Sequence, residues 1–171
     1  WTDDFNQSYS GTDNGWRGFT GRSAFNRVTL RASLNKFRFT IQAPADAAIS
    51  VTDAYAGRSR SCVFTSAPVR VTFAGANGFT LAAGQTIVSD PVNLAYSGDT
   101  DLAFSMFHDN LVGHNARVKA LSESNQYKYR ASYKGSNHAN EVGNSWGSFQ
   151  QGVYSLIRVE SSPASSGWQA L

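Results

Sequence analysis

Three histidines (His108, His114 and His138) and one cysteine (Cys62) are the side chains of this chain whose types most readily do chemistry. His108 and His114 stand six apart, which is neither the i,i+4 spacing of helical metal ligands nor the i,i+2 spacing of one strand face. With Asp109 between them they could meet across a loop; the plainer reading is polar histidines at a sheet edge. A single cysteine excludes an internal disulfide framework and a multi-cysteine metal site, so Cys62 reads as a small apolar filler. Asp3-Asp4, Asp13-Asn14 and Asp99 with Asp101 could hold a structural calcium, yet none fits an EF-hand and all suit turns. The expectation is therefore no cofactor, calcium being the one metal these carboxylates would take.

Catalytic motifs are scarce. No Gly-x-Ser-x-Gly elbow occurs, and Gly98-Asp99-Thr100 carries Thr where a hydrolase block needs Ser, with no helix following. Phosphate loops and dinucleotide fingerprints are also missing. Since no activated Ser or Cys nucleophile is identifiable, the chain is expected to be no enzyme and to leave short acyl esters intact.

Binding chemistry is better represented. In Tyr127–Lys134 the odd positions, Tyr127, Tyr129, Ala131 and Tyr133, make an aromatic face; Lys128, Arg130, Ser132 and Lys134 make a basic one. A strand with tyrosines inward needs no function, but tyrosine also serves at wet surfaces, where its ring stacks on the C–H face of a sugar. Two flanking loops, 108–115 and 135–147, are dense in amides, histidine and Trp146. The predicted contacts are Trp146 stacking on a sugar ring, His108 and Asn144 bonding hydroxyls, and Arg130 meeting a carboxylate or sulfate. Asp109, His114, Lys128 and Tyr129 complete the candidate set.

The elements that must position these residues read as strands. Lys36–Ile41 alternates polar and apolar, as a half-wet strand requires. Val69–Phe73 repeats the pattern before the turn Gly75-Ala-Asn-Gly78, and Phe79–Leu81 resumes it. Leu102–Phe107 is continuously apolar, which suits a central strand buried on both sides, and Val153–Val159 closes the series. Residues 115–126 are the main helical candidate. Turn residues every eight to twelve positions predict an all-β fold, an antiparallel sandwich of jelly-roll type. The 171 residues suit one domain over 1–160, with a linker-like tail at 161–171. Fifteen basic against twelve acidic residues give +3, too mild to demand nucleic acid. No apolar run would span a membrane, the first residues lack a signal layout, and a start at Trp1 suggests a processed product, an excised domain or an incomplete record.

From Leu30 to Glu160 the order of features resembles the β-rich N-terminal accessory domain of GDSL-type (SGNH) esterases and related modules of phage-like particles. The likeness is carried by Leu30-Arg31, Lys36–Ile41, Ile49–Gly57, Ala67–Gly75, Leu81–Gly84, Ser89–Val92 and Asp101–Ser105. Residues 1–29 fall outside it. Where the esterase domain would follow the strand ending at Glu160, this chain runs into Ser-Ser-Pro-Ala-Ser-Ser-Gly, so no catalytic position carries over. The resemblance implies a sandwich without its enzyme: a carbohydrate-binding spike or fibre module, outside the cell or on a particle, engaging polysaccharide such as an acidic capsule. The alternatives are a structural or oligomerising module and an accessory domain excised from an esterase.

Overall fold

Alternating side chains and frequent turns produce fourteen strands among the described residues. The computed structural model describes residues 1–6, 19–25, 34–96, 101–108, 117–118, 127–134, 136–144 and 153–162. The strands are β1 (Thr2–Asn6), β2 (Phe19–Phe25), β3 (Leu34–Gln42), β4 (Ile49–Arg60), β5 (Val63–Phe64), β6 (Val69–Arg70) and β7 (Phe79–Leu81). They continue with β8 (Thr86–Val88), β9 (Val92–Tyr96), β10 (Asp101–His108), β11 (Arg117–Val118), β12 (Tyr127–Lys134), β13 (Val153–Tyr154) and β14 (Leu156–Ser162). No helix occurs among the described residues.

One sheet runs β1-β14-β3-β8, with β9 also on β3; a second runs β12-β2-β10-β4-β5, with β6 and β7 also on β4; β11 and β13 form a two-stranded third. Among the described residues every pairing between these strands is antiparallel. The core lies between the two larger sheets. Phe37, Phe39 and Ile41 of β3 and Val159 of β14 meet Phe25 of β2, Phe104 and Met106 of β10 and Ala54 of β4. Phe39 and Phe104 stack across the gap with centroids 4.5 Å apart. The fold is thus an all-β antiparallel sandwich, as the alternation predicts.

The central strand β10 is buried on both faces. Leu102, Phe104 and Met106 belong to the inter-sheet core, whereas Ala103 joins Ala24, Cys62 and Phe64 in a smaller cluster on the other face. Cys62 is the apolar filler the sequence suggests, and burial pushes its thiol well above the ordinary range.

Several expectations shift. The strand anticipated at 69–73 shrinks to Val69–Arg70, because Ala74 and Gly75 take left-handed backbone and close a turn in which Phe73 and Ala76 bond each other. The closing strand breaks at buried Ser155, φ 51°, and β14 then runs two residues into the stretch expected to be linker. Within the helical candidate 115–126, Arg117–Val118 is a strand paired with β13; the rest lies outside the described residues. Within residues 1–29, which fall outside the resemblance, β1 pairs with β14 and β2 sits between β12 and β10.

Candidate functional site

A β-bulge aims the site. In β4, Ile49 and Val51 point into the core, and unbroken alternation would send Asp53 and Tyr55 after them. Opposite Phe107 and His108, however, the register slips from Asp53 to Val51, leaving Thr52 as an extra residue. The parity reverses there, so Ala54 and Ala56 fill the core and Asp53 and Tyr55 turn to the outer face. Gly78 packs against this bulge: a Cβ on it would stand 2.2 Å from the Val51 carbonyl oxygen and 2.8 Å from Thr52 Cα.

On that outer face the side chains form a connected set. Arg70 of β6 donates to Asp53 Oδ1 at 2.5 Å and to the Tyr55 hydroxyl, with its guanidinium 4.7 Å from the Tyr55 ring centroid. Asn137 Nδ2 donates to the other Asp53 oxygen at 2.6 Å, tying the loop 136–144 to β4. Within this loop, Ser136 Oγ lies 2.7 Å from His138 Nε2, and His138 Nδ1 lies 3.1 Å from Glu141 Oε2. Asn144 Nδ2 donates to Glu141 Oε1 at 2.5 Å.

Arg22 holds the loop down. It is fully buried on β2, where burial pulls its guanidinium down to about 10. It donates to the carbonyls of Cys62 at 3.0 Å, His138 at 3.4 Å and Glu141 at 3.1 Å, and sits 4.0 Å over the Phe64 ring. Thr20 Oγ1 accepts from the His138 amide and donates to the Ser136 carbonyl; the Gly143 amide donates to the Phe64 carbonyl. The exposed polar tips are therefore presented by a backbone fixed to the sheet, an arrangement suited to polar ligands.

The predicted site residues distribute unevenly. Asn144 is exposed in this loop. His108 is not: it ends β10 opposite Val51, 0% exposed, because cross-strand partners share a face and Val51 faces the core. It is a buried strand residue rather than a loop residue open to a hydroxyl. Lys128, Tyr129 and Arg130 lie on β12, whose backbone pairs with β2, Arg130 opposite Ser23. Asp109, His114 and Trp146 lie outside the described residues, as do Asp13-Asn14 and Asp99. Asp3, one of the suggested calcium ligands, accepts from Arg158 Nε at 2.6 Å, and no metal-binding group of three or more His, Cys, Asp or Glu occurs among the described residues. Sequence reading does not single out Asp53, Tyr55, Arg70 or Ser136: the first two lie beyond a bulge, Arg70 bonds to them from another strand, and Ser136 stands two residues from its partner His138, a spacing that belongs to no motif.

No family model matches the chain, and no curated protein does.

Proposed function

We propose that this outer face binds carbohydrate and that the protein engages cell-surface polysaccharide, outside the cell or from the surface of a phage-like particle. The observation that carries the reading is the half-buried Tyr55 ring with the Arg70 guanidinium over it, Arg70 in turn bonded to the Asp53 carboxylate and Asp53 to the Asn137 amide. A sugar asks for one aromatic face and a few converging donors and acceptors. The modest positive charge favours acidic glycans. Trp146, two residues beyond Asn144, and Lys128 and Arg130 extend the proposed contact from the sequence alone.

Glycan arrays and retention on immobilised polysaccharide test the reading. Binding should appear on the array and weaken about ten- to a hundredfold in Tyr55→Ala, a loss of about 1–3 kcal/mol. Arg70→Ala and Asn137→Ala, altered at exposed side chains, should weaken it while the melting temperature stays close to wild type. An array without any bound glycan would leave a structural or oligomerising module as the better reading.

A further inference from the structure

Ser136, His138 and Glu141 form a relay whose chemistry exceeds binding. The serine hydroxyl faces Nε2 of the imidazole at 2.7 Å, and the opposite ring nitrogen faces the carboxylate at 3.1 Å. Hydrolytic serine triads use this order of atoms: nucleophile, base, and an acid that fixes the tautomer and stabilises the imidazolium. Ser136 is exposed to an incoming molecule, while His138 and Glu141 are half-buried. The second Glu141 oxygen is held by Asn144, so the carboxylate is aimed by a further residue. Arg22 grips the carbonyls of His138 and Glu141, and Thr20 grips the strand side of the loop. Such anchoring supplies the preorganisation that separates a working relay from a chance contact.

We infer that Ser136 is a nucleophile toward carboxylic esters, with His138 as its general base and Glu141 and Asn144 as positioning residues. The substrate class is an O-acyl ester of a sugar hydroxyl, an assignment of substrate that rests on the carbohydrate reading of the adjoining Tyr55–Arg70 face. Ser136 Oγ attacks the ester carbonyl carbon as its proton passes to His138 Nε2, and the carbonyl electron pair moves onto oxygen. Collapse of that adduct breaks the bond to the sugar oxygen, which leaves with the proton from Nε2. Water then attacks the acyl-serine, giving its proton to Nε2; the carboxylic acid departs and Oγ recovers its proton. This reading departs from the expectation that short acyl esters are left intact, because the relay is a product of loop geometry and not of a recognised motif.

The test uses the full chain, p-nitrophenyl acetate and a fluorophosphonate probe, neither of which needs a glycan. The expected results are release of p-nitrophenol by the wild type and a phosphonylated peptide containing Ser136. Ser136→Ala should abolish both, and His138→Gln should reduce both at least tenfold. Glu141→Gln should lower kcat with KM nearly unchanged, as expected when a positioning group rather than a substrate contact is lost. Ester turnover and labelling unaffected by Ser136→Ala, or no turnover and no label in folded wild type, would overturn the inference. Glycan retention is measured separately, so turnover without retention sinks only the carbohydrate reading. Release of acetate from an acetylated polysaccharide would support both.

Discussion

Stripping a guanidinium of water is costly, and at Arg22 three carbonyl oxygens and a ring face take water's place. Arg22→Met keeps bulk but leaves those carbonyls without their donor, so urea unfolding should show a loss of at least about 2 kcal/mol. The same variant should lose any Ser136 reactivity, because the loop carbonyls are released together. Glu160 behaves differently. It accepts from Arg38 at 2.6 and 2.8 Å, and this pairing holds its carboxyl below the usual range. A folded-state pKa depressed below the unfolded one adds stability above the unfolded glutamate range and loses it as pH falls through the folded value. Melting temperature should therefore drop on acidification, and Glu160→Gln should lower stability at neutral pH while flattening that slope.

The bulge in β4 decides which side chains reach solvent, and Gly78 makes room for it. In Gly78→Ala the new methyl meets backbone atoms that cannot rotate away, so the variant should be destabilised, by about 1–3 kcal/mol as for overpacking, and should bind glycan less well. Phe39→Ala removes the ring that stacks on Phe104 and should cost about 3–5 kcal/mol, read from the denaturation midpoint. Most strands were legible because one face is wet: Phe37, Phe39 and Ile41 alternate with Lys36 and Arg38 as a period of two demands. The long β4 was not, since its period reverses at Thr52 and its core positions beyond the bulge, Ala54 and Ala56, carry little hydrophobic signal. The candidate site suffered the same fate. The loop 136–144 is conspicuous for its amides, but the partners that give it meaning, Asp53 and Arg22, lie 84 residues from Asn137 and 119 from Glu141. Hydrogen bonds over such separations leave no local pattern to read.

For the whole molecule, far-ultraviolet circular dichroism should show a strand spectrum with little helix. Deleting residues 1–25 should abolish the cooperative melting transition, because β2 lies between β10 and β12 and its removal splits a sheet. That placement of β2 also has a consequence in time. Arg22 leaves a ribosome before the carbonyls of His138 and Glu141 that it grips, which follow 116 and 119 residues later. Contacts of such separation close slowly, since their loop entropy must be overcome before they reward it. The loop 136–144 is accordingly expected to dock late, on a sheet already formed. In pulse-labelled hydrogen exchange during refolding, the Val71 amide, bonded to nearby Ala54, should gain protection before the Gly143 amide, bonded to distant Phe64.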